Sequence, residues 1–237
     1  MGLPIVATPK YEVKIPSTGQ TVEYRPFLVK EEKILLLANE TKNEREQVRA
    51  MKEAIKSCTF EKVDVDKLAP FDIEYLFLKL RAKSVGETVE VSVSCDDGCK
   101  ETQKVTVNLD DIEVKFNPQF TNRIQLSDSV GVLMRYPSYE DMFKLSEAQK
   151  KEDPALVMEF VANCIDIIYD KSEVYKTVEY STKEVVDFLE QLSQMSLRKI
   201  MNFFEYMPVV QKTVKYDCCG KEKEVTLKGA QSFFQSA

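Results

Sequence analysis

The sequence predicts an α+β fold, and three observations predict it. Alternating apolar and polar runs open the chain, recur in its middle and close it. Long stretches between them return an apolar residue every three or four positions, the period of a helix with one face turned inward. The strands and helices come in blocks instead of the strand–helix alternation that builds a parallel sheet.

Taken in order, "YEVKIPSTGQTVEYRPF" predicts a β-hairpin. Tyr11, Val13 and Ile15 alternate on one arm, "PSTG" makes the turn, and Val22, Tyr24 and Pro26 stand on the other. "LVKEEKILLLANETKN" then changes to helical spacing through Leu28, Ile34, Leu35 and Ala38. A second helix follows with Val48, Met51 and Ile55 on one side, and after the loop "FEKVDVDKLAP" a third, strongly apolar helix carries Ile73, Leu76, Phe77 and Leu80. At "GETVEVSVSC" the period falls to two, with Val89, Val91 and Val93 inward. "KVTVNL" mirrors that arm, and β character continues to about residue 137.

Beyond it the chain reads as mainly helical. Ser138 caps one helix behind Pro137, and Asp153-Pro154 opens another, read through "ALVMEFVANCIDIIYD". Ser181 to Glu184 is a capping box, and a last helix stops at Pro208. "VVQKTVKYDCCGKEKEVTLKG" is a terminal hairpin. No internal repeat is visible in the residue pattern. The expected organisation is a single α+β domain over residues 1–237, with a subdivision into 1–137 and 138–237 compatible with the change of character.

Composition narrows the function. Of 237 residues, 43% are hydrophobic and 30% charged, a globular balance. A net charge of -6 argues against a nucleic-acid binder that works through a general phosphate-attracting field. No run of 18 apolar residues predicts a membrane span, and the first residues lack the basic start and apolar core of a signal peptide. Histidine is absent, which removes Ser–His and Cys–His nucleophilic chemistry and any His-ligated metal site. The acids of "LDDIE" and "VDVD" read as turn and cap residues, so no catalytic residues are assigned and a carboxylate-based hydrolase has only scattered acids behind it.

The cysteines are more specific. Four of six lie in "SCDDGCK" and "DCCGKEK", each closing an alternating run. Zinc favours four thiolates in a tetrahedron, often two from each of two turns. Cys95 and Cys99 are spaced C-x3-C with Gly98 between them. Cys218 and Cys219 are adjacent, and they fit one ion only if the strand bends, which Gly220 eases. These four are the expected ligands of a structural zinc; thiols without metal, or a disulfide or vicinal redox pair, are the alternatives. Cys58 and Cys164 sit among apolar helical residues and read as small buried hydrophobes. Phe203, Phe204 and Tyr206 read first as core, while Phe233 and Phe234 near the end of the sequence are candidates for docking on another chain.

One segment is distinctive. Pro16, Ser17 and Gly19 form a "P-S-x-G" turn, and Arg25, Pro26, Phe27, Val29, Lys30, Glu31, Glu32 and Lys33 form an "R-P-F-x-V-K-E-E-K" junction into an apolar helix. This segment resembles the N-terminal region of the T4-type bacteriophage baseplate protein family, whose members are baseplate hub subunits or hub-assembly proteins. The resemblance implies a non-enzymatic role in virion morphogenesis. Its partners would be other baseplate hub proteins of a contractile tail, and its location the host cytoplasm during assembly and the virion tail baseplate. In the residues themselves, Pro26 would limit the corner's backbone, Phe27 pack it, and "KEEK" expose mixed charge on the first helical turn. The alternative reading is a cytosolic zinc-ribbon-like module that contacts nucleic acid, favoured by the cysteine pairs and opposed by the acidic charge.

Overall fold

The computed structural model describes residues 6–94, 102–218 and 220–233. The chain forms two compact units: one takes the residues up to Lys115 together with those from Val209 onward, the other is Phe116–Pro208. The architecture is mixed α+β, with seven α-helices and small antiparallel sheets among the described residues.

In the first unit, β1 (Tyr11–Lys14) and β2 (Thr21–Tyr24) pair antiparallel with Val13 opposite Val22. Gly19 turns the chain at φ 71°, a left-handed conformation that suits a residue without Cβ. α1 (Val29–Glu40) leads to α2 (Glu44–Cys58), which Asn43 caps by accepting the Arg45 N–H and which buries Ala50, Ala54, Ile55 and Cys58. α3 (Pro70–Ser84) starts with proline, where no backbone N–H is needed, and buries Phe71, Ile73, Leu76, Leu78 and Leu80 on several sides. β3 (Thr88–Ser94) pairs with β4 (Thr102–Asn108), setting Val89 against Val107 and Val91 against Val105. β5 (Glu113–Lys115) ends this part of the unit.

The second unit is built on a four-stranded antiparallel sheet. β6 (Arg123–Gln125) and β7 (Gly131–Met134) precede α4 (Tyr139–Lys150) and α5 (Pro154–Asn163). β8 (Ile165–Tyr169) and β9 (Val174–Lys176) complete the order β6-β7-β8-β9. α6 (Thr182–Glu190) and α7 (Gln194–Glu205) follow. The stretch "IDIIY", expected as helix, is strand β8. Three isoleucines in five residues favour a pleated strand, and β7 offers it a ladder from Gly131↔Tyr169 to Met134↔Ile165. Phe160, Val161, Cys164, Ile165, Leu189, Ile200 and Phe203 form the core of this unit.

The chain then returns to the first unit. β10 (Val209–Cys218) pairs with β5 on one side and β11 (Lys221–Lys228) on the other, giving the order β11-β10-β5. Phe233, read as a docking residue, is instead 1% exposed and part of this unit's core. Phe234 lies outside the described residues.

One arrangement occurs twice: its arginine and first-helix positions recur 110 residues on, and its cysteine 106 residues on. The second strand of a hairpin is followed directly by an arginine, Arg25 or Arg135. Its N–H donates to the carbonyl of a cysteine at the end of the second helix, Cys58 at 3.0 Å or Cys164 at 2.8 Å. The first helix of each pair ends just before a residue of positive φ, Lys42 at 54° or Glu152 at 52°, and the next residue, Asn43 or Asp153, caps the second helix. The expectation of no repeat is therefore corrected. Between 21–44 and 131–154 only Val22/Val132, Arg25/Arg135, Leu35/Leu145 and Ala38/Ala148 are identical, because the repeat keeps roles rather than residues.

Candidate functional site: hairpin ends, a buried ion pair and an open helix face

The R-P-F junction is a polar network folded inside the first unit. Arg25 and Glu31 are 8% and 4% exposed. The guanidinium meets both carboxylate oxygens, Nη2 to Oε1 at 2.9 Å and Nη1 to Oε2 at 3.3 Å, the fork geometry that suits arginine. Ser57 donates its hydroxyl to Glu31 Oε1 at 2.8 Å, and the Leu28 N–H donates to Oε2 at 2.8 Å. Glu31 thus holds the third helical position of a capping box whose other half Leu28, having no side-chain oxygen, leaves unmade. Burial pushes the Glu31 carboxyl up, but the bonds from Arg25, Ser57 and Leu28 outweigh it and hold the group at about 2. Phe27 packs on Phe77, ring centroids 5.8 Å apart, as the packing of the corner requires. The "KEEK" turn is not the evenly exposed charge expected of it: Glu31 faces inward, and Lys30, Glu32 and Lys33 face out.

The equivalent corner of the second unit is shallower. Arg135 Nη1 reaches Asp141 Oδ2 at 3.0 Å, and Asp141 accepts the Ser138 N–H and hydroxyl, both at 2.8 Å. The Arg135 side chain is 41% exposed where that of Arg25 is 10%. Neither pairing has a periodic signal. What marks both in the sequence is an arginine at a strand end followed six residues later by an acid at the third position of a helix.

Of the four expected zinc ligands, Cys218 is described and Cys95, Cys99 and Cys219 lie outside the described residues. Cys218 ends β10, is 2% exposed, and belongs to a small cluster with Val93 and Tyr216, against which Val105 and Val225 pack. Val93 and Val105 belong to the β3–β4 hairpin, Tyr216 and Val225 to the β10–β11 hairpin, so the ends of the two cysteine-bearing hairpins meet. Among the described residues, no group of three or more Cys, Asp or Glu is placed to hold a metal ion. Cys58 and Cys164 are fully buried, and burial pushes their thiols up to about 11 and about 12, which suits packing and not nucleophilic attack.

α1 stands apart from the other helices. Its inward positions are Glu31, Leu35 and Ala38, while Val29 (81% exposed), Leu36 (60%), Leu37 (54%) and Ile34 (40%) face outward. In α4 the positions matching Ile34, Leu36 and Leu37 are Lys144, Ser146 and Glu147, all exposed. The aromatic run of α7 behaves differently again: Phe203 is buried against Phe120 at 5.3 Å and Phe204 packs on Phe160 at 5.1 Å, so these rings are core. A cleft of about 250 Å³ in the second unit is lined by Arg123, Lys199, Gln119, Gln125, Asn202 and neighbours, with no carboxylate or thiol in its wall. Among the described residues, no helix is long and apolar enough to cross a membrane.

Comparison with curated proteins found no match, and neither did comparison with solved structures. A family model described as "T4 bacteriophage base plate protein" matches residues 8–235. That span takes in both hairpin–helix corners, both cysteine-bearing hairpins and the open face of α1, and the chain belongs to the T4 bacteriophage base plate protein family.

Proposed function

We propose that this protein acts, without catalysis, in the morphogenesis of a contractile phage tail, as a baseplate hub subunit or a hub-assembly chaperone. It works through contacts with other baseplate proteins, in the host cytoplasm while the tail is built and at the baseplate if it stays in the virion. The observation that carries this reading, within the family, is the open apolar face of α1. Water-facing apolar side chains in this number on one helix are the mark of a surface meant to be covered. Capture of hub proteins by this chain from infected cells, lost on replacing Leu36 and Leu37, is the expected result. Complete baseplates made in the absence of the protein would overturn the role.

We further propose that Cys95, Cys99, Cys218 and Cys219 hold one structural zinc. The supporting observation is the meeting of the two hairpins at Cys218 and Val93, the latter two positions before Cys95 in the chain. Elemental analysis with native mass spectrometry is expected to find one zinc per chain, lost in Cys95→Ser and in Cys218→Ser. Retention of the metal in both variants would rule the site out.

A further inference from the structure

We propose that the face of α1 pairs with the same face of a second copy of this chain, as two antiparallel helices about a twofold axis. The inference rests on the reading of α1 as a contact surface and names its occupant. Val29, Lys33, Leu36 and Glu40 follow a 4-3-4 spacing and lie along one outward stripe of the helix, with Leu37 and Ile34 beside it. The stripe has a polarity: a lysine in its first half, a glutamate in its last turn, and two leucines between them.

That order selects the occupant. Laid against itself in parallel register, the stripe sets Lys33 on Lys33 and Glu40 on Glu40. Laid antiparallel, it centres Leu36 and Leu37 on their own copies and sets Lys33 opposite Glu40 twice, the self-complementary contact that a twofold interface demands. The matched helix α4 lacks this pattern, carrying Phe143 and Lys150 where α1 has Lys33 and Glu40, and Ser146 and Glu147 in place of the two leucines. The second corner of the same plan is thereby an internal control for the first. A helix of 12 residues is about 18 Å long. A single seam of that length is smaller than the interfaces of about 1,200 Å² or more that hold stable complexes, so the pairing is reversible and leaves α1 open to a baseplate partner at need.

The test is sedimentation velocity on the full chain between about 1 and about 100 μM, the range in which weak pairs associate. The wild-type protein is expected to pass from monomer to dimer within it. Lys33→Glu and Glu40→Lys each turn two attractive contacts into two repulsive ones and are expected to weaken self-association about tenfold or more. Mixing the two single variants restores the pairing as a heterodimer. The two introduced charges, opposite in sign, then face each other at one end of the seam, and the unchanged Glu40 and Lys33 face each other at the other. Leu36→Ser with Leu37→Glu is expected to abolish dimerisation. All these positions are exposed, so thermal unfolding should be unchanged and confirms that each variant is folded. A monomer throughout the range, or a mixture that fails to recover, overturns the self-pairing. If the wild type is monomeric yet the leucine variant still loses captured hub proteins, α1 is a contact surface for a different partner. If neither changes, the contact reading fails with it.

Discussion

Arg25 and Arg135 hold equivalent places in the two units, one sealed from water and the other half open to it. Both directly follow a strand, donate a backbone N–H to a buried cysteine's carbonyl, and reach an acid six residues on. Glu31 answers with two oxygens and the support of Ser57, while Asp141 answers with one and divides it between Arg135 and Ser138. The difference follows from the helix cap. In the second unit Ser138 completes the capping box with its own hydroxyl, so the acid serves chiefly the cap. In the first unit Leu28 has no oxygen to give, and the acid turns inward to the arginine. The same plan is therefore held by an ion pair in one unit and by a capped helix end in the other.

Removing either arginine tests this most directly. Arg25→Ala leaves the buried Glu31 carboxylate only the largely exposed Lys30, 3.4 Å away, as a cation, and is expected to cost about 3 kcal/mol in denaturant unfolding. Arg135→Ala breaks a contact open to water and is expected to cost at most about 1 kcal/mol. Equal losses would end the distinction. Ser57→Ala, which removes one bond to the charged Glu31, is expected to cost about 1.5–3 kcal/mol; in the second corner the hydroxyl on the acid comes from the helix cap Ser138 instead.

Acid sharpens the comparison further. Glu31 is held near 2 against an ordinary 4.5, so its stabilisation is present in full above the ordinary value and is lost as pH falls from there through about 2. The difference in unfolding free energy between wild type and Glu31→Gln should shrink over that window. Asp72 works in the opposite sense. It is buried with only backbone and Ser17 donors, and burial raises its carboxyl, so its protonation relieves the fold as pH falls. A difference that stays flat below pH 4.5 would show that Glu31 is not held as described.

Smaller effects probe what the two corners share. Lys42→Gly and Glu152→Gly relieve a side chain held at positive φ, and each is expected to stabilise its unit by about 0.5–1 kcal/mol, read as a rise in unfolding midpoint. Grafting the α4 residues onto α1, as Ile34→Lys, Leu36→Ser and Leu37→Glu together, should change stability by no more than about 0.5 kcal/mol. A large loss would mean those side chains pack within the unit.

Much of the fold was legible in the chain because its signals are local. Period-two runs marked the hairpins of Tyr11–Tyr24 and Thr88–Asn108, and Ser138, Asp153 and Ser181 marked helix starts. What could not be read depended on context. "IDIIY" continues an apolar run from α5, and only the presence of β7 makes it a strand. The apolar residues of α1 return often enough on every side to suggest burial, and nothing in their spacing tells that only Leu35 and Ala38 turn inward. The Arg25–Glu31 pair crosses a strand-to-helix corner, where neither period applies. For the cysteines, alternation located the hairpins, and the packing of Cys218 on Val93 shows what spacing alone could not: that segments more than a hundred residues apart meet.

The first unit is made from both parts of the chain, with β10 laid against β5 so that Val209 faces Lys115. As a ribosome releases the chain, the whole second unit emerges before β10 exists. The earlier unit must therefore wait, with the edge of β5 and the inner faces of α3 and the β3–β4 hairpin uncovered, until the later one has passed. A stop codon placed before β10 would damage the beginning of the protein and leave its middle intact.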